Sequence, residues 1–519
     1  MIMTSDKKFS KKQLYIAAIA AVFLIAVFVR VFRFGAVPGG MNQDGAMAAV
    51  DAKALAEYGT DRLGMFRPVH LTAWGFGQMS ALLSYLEAPL IRLFGLSVVT
   101  ARLPQLLVSL AGLVLLLLFA EDSFSRVTAL AIFFFGAINP WHIMQSRWAL
   151  DCNLFPHFLM AGMFFLGRAA SGKRSTLNLC ISMVLFGMSM YCYGISIYTV
   201  PLFLAAAGIF LLCKKAVSPA QFFVSAGVYL AVSWPFITCM IINAFALDTI
   251  ETPFFTIPRF YSSVRSADIL FFSPNPLSQL KVNALSTLKI LFQFYDGLPW
   301  NGMKGSGTMY VFSIPFIILG GVKIFSRTKK STPCALTAFM FITAVFDGLI
   351  TAGVNINRIN ILFYPLIIMG GVGISAVMLK LKPAKFILPC LYLAALCLFC
   401  GRYFGPYAES ISQSFMEDFG QAVAEVSESP ADRFYITADS QYRNSSHVSE
   451  ILTLFYHSVD AEYYQSPAFR EKYSFAVPDE PDESEDAVYV VRNYELERFD
   501  PGIYDFQQFG RFYTIKKKP

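Results

Sequence analysis

Charged residues are scarce in this sequence, and their scarcity excludes an ordinary soluble protein. Asp, Glu, Lys and Arg make up 15% of the 519 residues, hydrophobic residues make up 55%, and the mean hydropathy is +0.52. A chain of this length and composition requires the bilayer as its main solvent. The net charge of +7 comes from short Lys and Arg clusters between apolar runs. Such clusters set membrane topology, so no nucleic-acid partner is predicted.

Cysteine is absent after residue 400, which excludes disulfides from the end of the chain. All nine cysteines lie between Cys152 and Cys400, mostly in apolar runs and without paired metal-ligand spacing. A convincing small-residue cleavage site is also missing after the apolar run 14–34. This run therefore predicts an uncleaved membrane anchor and not a signal peptide.

Long apolar runs dominate what is present, and a membrane-spanning helix needs about 20 such residues. Eleven runs qualify: 14–34, 98–120, 127–143, 154–170, 177–193, 195–213, 221–245, 309–325, 332–352, 359–379 and 384–400. With the lysine-rich N-terminus in the cytoplasm, Lys and Arg collect in every second loop, as expected for loops held inside. Segment 78–96 would invert this pattern as a span and carries Glu87 and Arg92, so an interfacial helix is predicted there.

The chain becomes polar after residue 400, and an odd number of spans places this part outside the cytoplasm. Residues 433–437, 488–492 and 511–515 are typical of strands, and 445–457 are typical of an amphipathic helix.

The prediction is an all-α polytopic protein of the plasma membrane with eleven transmembrane helices and a small C-terminal extracytoplasmic α/β domain. The membrane domain is predicted at 1–400 and the C-terminal domain at 401–519. The extracytoplasmic loops are predicted at 35–97, 144–153 and 246–308.

The first two candidate groups lie in the first and second outer loops. Asp44 stands in MNQDGAMAAVDAKALAEYG, where it either caps the following helix or serves as a catalytic acid or base. Arg147 and Asp151 stand four residues apart in NPWHIMQSRWALDCNLFP. This spacing fits a salt bridge that caps a membrane helix, and equally a pair that binds a sugar phosphate.

Two further candidate groups precede membrane spans. Arg358 and Asn357 stand in VNINRIN, where the arginine either snorkels to the headgroups or clamps a phosphate. Trp300 and Asn301 stand in YDGLPWNGMKGSG, which is either a structural loop or a surface for sugar stacking and hydroxyl bonding. Arg30, at the outer end of the first span, is predicted to snorkel.

The order of these features resembles glycosyltransferase family 39 of the GT-C superfamily, which includes protein O-mannosyltransferases and lipid A aminoarabinose transferases. The resemblance covers roughly residues 14–380. It rests on an acid in each of two outer loops, an interfacial helix ending in LFG (93–95), and Arg102 before a span. The motifs SRWALDCN, YDGLPWN and NINRIN are similar to those of bacterial members.

The resemblance implies a GT-C-like fold in which Asp44 matches the catalytic acid of the first loop and Asp151 the acid of the second. By position, Arg358 is similar to a lipid-phosphate ligand of the family. The implied reaction moves a sugar from a polyprenyl-phosphate donor to a hydroxyl of a glycan, lipid or protein acceptor. Asp44 would be the base, Arg358 would stabilise the departing phosphate, and Asp151 with Arg147 would orient a substrate.

Two departures from the family pattern concern cofactor and substrate binding. The family often has two adjacent acids in the first loop, whereas here the acid is followed by Gly45. No cofactor is predicted. A divalent metal ion stays an open alternative, and the missing second acid counts against it. Gln78 or Met79 stands where many members carry a basic residue, and Arg67 or His70 is the predicted substitute.

Other classes remain as alternatives to a glycosyltransferase. A transporter or lipid flippase would fit the polytopic pattern, although no convincing inverted repeat is present. A polysaccharide polymerase or ligase of the cell envelope would share both topology and substrates. A membrane sensor would account for the C-terminal domain but not for eleven spans.

Overall fold

A computed structural model of the protein describes residues 10–74, 77–261, 269–440 and 445–518. In chain order its helices are α1 (Lys11–Val31), α2 (Gln43–Glu57), α3 (Leu82–Phe94), α4 (Val98–Ser123), α5 (Arg126–Ala137), α6 (Pro140–Gln145), α7 (Asp151–Ala170), α8 (Ser175–Ser189), α9 (Ser196–Cys213), α10 (Pro219–Phe245), α11 (Pro276–Gln293), α12 (Ile314–Phe325), α13 (Thr332–Ile350), α14 (Phe363–Lys380), α15 (Ala384–Tyr403), α16 (Pro406–Ser414), α17 (Glu417–Glu425), α18 (Ser446–Tyr456), α19 (Ala461–Gln465) and α20 (Pro467–Lys472).

The strands are short and fall into three groups. They are β1 (His70–Thr72), β2 (Gln78–Ser80), β3 (Ile250–Glu251), β4 (Thr256–Ile257), β5 (Arg433–Ile436), β6 (Tyr473–Ser474), β7 (Ala487–Arg492), β8 (Tyr504–Phe509) and β9 (Phe512–Lys517). Short 3-10 helices occupy Leu270–Phe272, Val311–Ser313, Ile356–Leu362 and Asn493–Arg498.

Each of the eleven apolar runs predicted to span the membrane contains a helix. Among the described residues, seven helices are long and apolar enough to cross a membrane by length and composition: α1, α4, α9, α10, α13, α14 with its leading 3-10 turn, and α15. The four other runs are α5, α8 and α12, which are shorter apolar helices, and α7, which has 20 residues and packs between α4 and α8. The prediction of a polytopic helical membrane protein is thereby confirmed. Lys7 and Lys8, used to orient the N-terminus, lie outside the described residues.

Two predicted boundaries are wrong for local reasons. The run 127–143 is not one helix, because α5 ends at Ala137 and a separate short helix begins at Pro140. Proline has no backbone N–H and is favoured in a first helical turn, and the side chain of Asn139 caps this turn by accepting from the amide of His142 at 3.1 Å. Segment 78–96 begins with strand β2 and only then forms α3.

The C-terminal region contains the predicted strands and helix together with two strands that the sequence did not reveal. The sheet order is β6-β5-β7-β9-β8, with parallel pairing of β5 to β6 and to β7, and antiparallel pairing along β7-β9-β8. Helices α17 and α18 pack together, and α17 also packs on β9. The division of the chain at residue 400 stays a prediction. Helix α15 continues past this point and ends at Tyr403.

The C-terminal region docks on α2 through specific polar contacts. Lys53 of α2 donates to the carbonyls of Ser458 and Val459 at 3.1 and 3.3 Å. The Tyr58 hydroxyl donates to Asp460 at 2.5 Å. This docking fixes the C-terminal region relative to α2, which lies between α1 and α4 in the chain.

Candidate active site

One cavity of about 850 Å³ collects most of the polar residues that the sequence singled out. It lies where the first turns of α2 and α7, the β1–β2 hairpin, the start of α9, the end of α13 and the 3-10 helix Ile356–Leu362 meet. Of the nine predicted site residues, the cavity is lined by Asp44, His70, Asp151, Trp300, Asn357 and Arg358. The remaining three, Arg67, Arg147 and Asn301, are absent from its lining.

Asp44 lies in the first turn of α2 and faces the cavity. The N-cap position of this helix belongs to Asn42. The indole Nε1 of Trp74 donates a hydrogen bond to Asp44 Oδ1 at 2.5 Å. The partial positive charge of a helix N-terminus and this charge-assisted hydrogen bond both stabilise a carboxylate.

Three buried arginines lie around the end of α1 and the segment that leads to Asp44. Arg102 donates to the carbonyls of Gly35, Pro38 and Gly40 at 3.3, 2.6 and 2.6 Å. Arg30 is fully buried and donates to the carbonyls of Ala26 and Ala137, both at 2.9 Å. The predicted snorkelling of Arg30 is therefore wrong, because the backbone at this end of α1 supplies acceptors inside the protein.

Arg147 is the third of these arginines, and the predicted pairing with Asp151 along a helix is wrong. The guanidinium of Arg147 is buried and donates to backbone carbonyls of the end of α1 and the loop after it, at Val29, Arg30, Phe32, Arg33 and Val37. The chain between Arg147 and Asp151 is not helical, since α6 ends at Gln145 and α7 begins at Asp151. Arg147 thus holds the backbone at the end of α1 and in the loop that follows it.

Asp151 occupies the first position of α7, so a second helix N-terminus meets the cavity. Its carboxylate accepts from the backbone amide of Cys152 at 2.7 Å and from that of Ser80 at 3.4 Å. The bond to Ser80 ties α7 to strand β2. Two carboxylates, from Asp44 and Asp151, are therefore held at the same cavity by two helix N-termini.

Arg358 lies on the 3-10 helix Ile356–Leu362 that enters α14. Asn355 caps this turn by accepting from the amide of Arg358 at 3.2 Å, and the Arg358 guanidinium donates to the carbonyl of Ala352. Asn360 anchors the same turn by donating to the carbonyl of Cys152 at 2.6 Å. The short helix is consequently fixed against the start of α7, with Asn357 and Arg358 on the cavity wall.

The loop before α12 contributes Trp300 to the cavity, whereas Asn301 serves as a structural link. Asn301 is fully buried, donates to Asp296 at 2.7 Å and accepts from Gln145 at 3.2 Å. Asp296 in turn accepts from the amide of Ile356 at 2.8 Å. Burial raises the pKa of the Asp296 carboxyl, and its hydrogen bonds oppose this.

His70 and Arg67, the two predicted substitutes for a basic residue, have different positions. Arg67 is exposed, and its guanidinium lies 5.0 Å from the ring centroid of Phe66. His70 is buried in the cavity wall, where loss of solvation lowers its pKa to about 4. The imidazole is therefore neutral at pH 7 and does not replace a lysine or arginine charge.

Sequence reasoning missed several lining residues. Trp74 stands in the hairpin turn, and Tyr193 and Tyr198 stand at the break between α8 and α9. The signal for the tyrosines was the segment YCYGISIY (191–198), which combines polar rings with a glycine between two apolar runs. Phe415 also lines the cavity, and its ring packs edge-on against Trp148 with centroids 5.3 Å apart.

The cavity combines acid, guanidinium and aromatic groups beside an apolar wall. Among the described lining residues, Asp44 and Asp151 are the carboxylates and Arg358 is the only lysine or arginine. The apolar wall is formed by Ile197, Met240, Ile269 and Phe272, among others. Within the described part of the chain, no group of three or more His, Cys, Asp or Glu side chains is arranged to hold a metal ion, so no step is assigned to one.

The fold and this cavity define a polytopic membrane protein of the GT-C fold. The structure is similar to that of ArnT from Cupriavidus metallidurans in the apo state, with a TM-score of 0.58, 13% identity, and 98% of each chain covered. The same protein bound to undecaprenyl phosphate matches with a TM-score of 0.57, 12% identity, and 97% of each chain covered. The apo oligosaccharyltransferase of Archaeoglobus fulgidus matches with a TM-score of 0.49, 13% identity, and coverage of 94% of this chain and 70% of that chain.

The GT-C fold predicted from the sequence is confirmed by the ArnT structures, whereas membership of family 39 is not confirmed. No family model matches the chain, and no curated protein matches it by sequence. At 12–13% identity the likeness shows the fold. The activity is therefore argued from the cavity itself.

Proposed function

We propose that this protein is a membrane glycosyltransferase that moves a sugar from a polyprenyl-phosphate donor to an acceptor hydroxyl on the extracytoplasmic face. The observation that carries the proposal is the meeting of Asp44 and Arg358 at one cavity, although they stand far apart in the chain. This pair supplies the two groups that glycosyl transfer from a phosphate requires, a base and a cation. The undecaprenyl phosphate bound by ArnT, which has the same fold, is consistent with this donor class.

The donor is proposed to bind with its phosphate at Arg358 and its isoprenoid chain along the apolar wall. A planar guanidinium binds phosphate oxygens through paired hydrogen bonds. Arg358 is the only lysine or arginine among the described lining residues, so it is the phosphate ligand. Ile197, Met240 and Phe272 belong to the apolar wall, which offers surface for the lipid chain.

The transfer is proposed to be a single displacement with inversion at the anomeric carbon. The Asp44 carboxylate accepts the proton of the acceptor hydroxyl while the acceptor oxygen bonds to the anomeric carbon. The bond between that carbon and the phosphate oxygen breaks, its electron pair stays on the phosphate, and polyprenyl phosphate leaves. Arg358 stabilises the charge that develops on the leaving phosphate.

Trp74 and Asp151 are proposed to support this chemistry. The indole hydrogen bond keeps the Asp44 carboxylate in one orientation. Asp151, held by backbone amides at the start of α7, is proposed to bind a substrate hydroxyl. The N-terminus is proposed to be cytoplasmic and the C-terminal region extracytoplasmic, as the distribution of Lys and Arg among the loops indicates.

The test is transfer by purified protein in liposomes, using radiolabelled polyprenyl monophosphate sugars with wild type, Asp44→Asn and Arg358→Gln in parallel. We expect wild type to release polyprenyl phosphate and to label an acceptor, and both variants to lose this activity while remaining folded. Movement of intact donor across the bilayer without release of polyprenyl phosphate would favour a flippase. Turnover only with diphosphate-linked donors would favour a polymerase or ligase.

A further inference from the structure

The cavity wall beside Asp44 contains buried polar atoms that lack hydrogen-bond partners. Asn42 Oδ1, His70 Nδ1 and Gln78 Nε2 are buried and have no partner among the residues that the structure describes, and all three side chains line the cavity. A buried polar atom without a partner is unfavourable, because it has lost its bonds to water, so such atoms in a cavity wall indicate a ligand that pairs with them.

The β1–β2 hairpin explains why two of these side chains act together. In its register His70 lies opposite Ser80 and Thr72 lies opposite Gln78. Residues that alternate along a strand and their direct cross-strand partners share one face, so His70 and Gln78 are on the same face. Trp74, in the turn of this hairpin, reaches Asp44. The hairpin therefore brings His70 and Gln78 to the same side of the cavity as the proposed base.

The three atoms differ in hydrogen-bond type, and this difference selects the ligand chemistry. The Asn42 oxygen accepts, the Gln78 nitrogen donates, and the neutral ring of His70 accepts or donates according to its tautomer. An ammonium group only donates and a carboxylate only accepts. A hydroxyl does both, so neighbouring hydroxyls pair with the whole set. Exchanging the oxygen and nitrogen of both amides together still leaves one donor and one acceptor, so this conclusion is unchanged.

The charges of the cavity lining also favour a ligand without a charged group. The only lysine or arginine among the described lining residues is Arg358, which the proposed function assigns to the donor phosphate. An acidic sugar would place its carboxylate near Asp44 and Asp151 without a further cation. An amino sugar whose ammonium group lay at Gln78 would leave this donor without an acceptor.

We propose that Asn42, His70 and Gln78 form a subsite for a neutral, polyhydroxylated donor sugar, a hexose or pentose without an amino or carboxyl group. The inference rests on the proposed function, because the sugar lies between the phosphate at Arg358 and the attacking hydroxyl at Asp44. His70 and Gln78 contact hydroxyls of the ring that is transferred. They determine which sugar is accepted and take no part in the proton transfer.

The test combines Gln78→Leu with donors that lack one hydroxyl. Neutral hexosyl monophosphate polyprenols and their 2-, 3-, 4- and 6-deoxy forms are compared with an amino-sugar and a uronic-acid donor of the same lipid. We expect wild type to prefer the neutral donors in kcat/KM. Gln78→Leu should lower kcat/KM about ten-fold for the full neutral donor. It should give no further loss with the one deoxy donor that lacks the hydroxyl bound by Gln78.

Thr72→Val is the matched control, because Thr72 faces the same side of the hairpin but does not line the cavity. Thr72→Val should leave the donor preference unchanged. His70→Phe, like Gln78→Leu, should lower kcat/KM for the full neutral donor, and it should give no further loss with a different deoxy donor. Thermal unfolding in detergent checks that each variant is folded. If Gln78→Leu fails to fold, the comparison of His70→Phe with wild type across the deoxy donors carries the test.

The outcomes separate the subsite from the proposed function. Preference of wild type for the amino-sugar or uronic-acid donor overturns the subsite and leaves the glycosyltransferase standing. The subsite is also overturned if Gln78→Leu loses the same factor in kcat/KM with every deoxy donor. It is overturned as well if the loss disappears only when the acceptor, and not the donor, lacks a hydroxyl. Absence of turnover with all donors overturns the proposed function, and the subsite with it.

Discussion

The indole nitrogen of Trp74 lies 2.5 Å from Oδ1 of Asp44 and donates a hydrogen bond to it. The tryptophan reaches Asp44 from the turn of the β1–β2 hairpin, and the aspartate lies in the first turn of α2. Two elements of the first outer loop therefore fix the orientation of one carboxylate. This arrangement yields the first prediction.

Replacing Asp44 with Asn should reduce transfer by about 10²–10⁴-fold, the usual contribution of a general base. Replacing Trp74 with Phe should reduce it less, by about ten-fold or more, because the base remains but loses a charge-assisted hydrogen bond. Both are measured as kcat with saturating donor in liposomes. Full activity of Asp44→Asn would exclude Asp44 as the base.

Arg358 and Arg147 should respond differently to the change to lysine. Arg358→Lys keeps the positive charge but loses the paired hydrogen bonds to phosphate, so we expect KM for the donor to rise about ten-fold or more. The Arg358→Lys variant should unfold at the same temperature as the wild-type protein. Steady-state kinetics with a titrated donor give the first value, and fluorescence-detected thermal unfolding gives the second.

Arg147→Lys should lower stability and leave the donor KM of the folded fraction unchanged. A single ammonium group does not replace a guanidinium that reaches carbonyls at Val29, Arg30, Phe32, Arg33 and Val37. We expect a loss of about 2–4 kcal/mol, because buried carbonyls lose donors. A higher donor KM with unchanged thermal stability would instead support the predicted role of Arg147 in substrate binding.

The buried pair of Asp51 and Arg62 provides a prediction about stability. Arg62 donates to Asp51 at 2.7 Å and to the carbonyl of Thr72 at 3.0 Å, and thus connects α2 to the hairpin. Asp51→Asn should cost about 3–5 kcal/mol, because it leaves a buried guanidinium without its counter-charge. The double variant Asp51→Leu with Arg62→Met should recover part of this loss. Thermal unfolding and yield of folded protein decide between these outcomes.

The pH dependence of the C-terminal region should follow His457. Its Nδ1 lies 3.0 Å from the Tyr473 hydroxyl, and its Nε2 lies 3.0 Å from the carbonyl of Val423, an arrangement that suits a neutral ring. Burial lowers the pKa of His457 to about 4 from its usual 6.5. Between these values the unfolded chain binds a proton that the folded chain does not. Stability is therefore complete above pH 6.5 and falls by up to about 3 kcal/mol as the pH drops to 4.

Hydrogen exchange of α18 and β6 in the full-length protein at pH 4.5 and 7 measures this effect. His457→Gln should flatten the difference, because the titrating group is removed. His447→Gln is the control, since His447 is exposed on the same helix. A difference that persists in His457→Gln would show that another group is responsible.

The sequence predicted the spans well because hydropathy and loop charge report directly on the bilayer. Every predicted apolar run contains a helix, and the strands at 433–437, 488–492 and 511–515 are present with small changes in their bounds. The missed break at Pro140 was visible as an Asn-Pro pair inside an apolar run. Strand β8 was missed because Asp505, Gln507 and Gln508 are exposed and give it no apolar alternation.

The candidate site was harder to predict, because polar residues near a membrane have several uses. Asp44 and Arg358 line the cavity as expected, but Arg147 binds backbone carbonyls of the first outer loop. Nothing in its local sequence distinguishes these roles, since the carbonyls that bind it are more than a hundred positions earlier in the chain. Trp74 was not predicted because its partner Asp44 is 30 residues away.

Two of the three buried arginines also constrain the order in which the protein is assembled. The end of α1 and the loop after it are synthesised before Arg102, which binds carbonyls of this loop, and before Arg147, which also binds carbonyls at the end of α1. Until the turn after α6 has been made, the carbonyls that Arg147 binds lack this donor, although Arg102 of α4 is already present. Helix α1 thus reaches its final surroundings late, and the segment that leads to Asp44 is fully held only after Arg147 has been made.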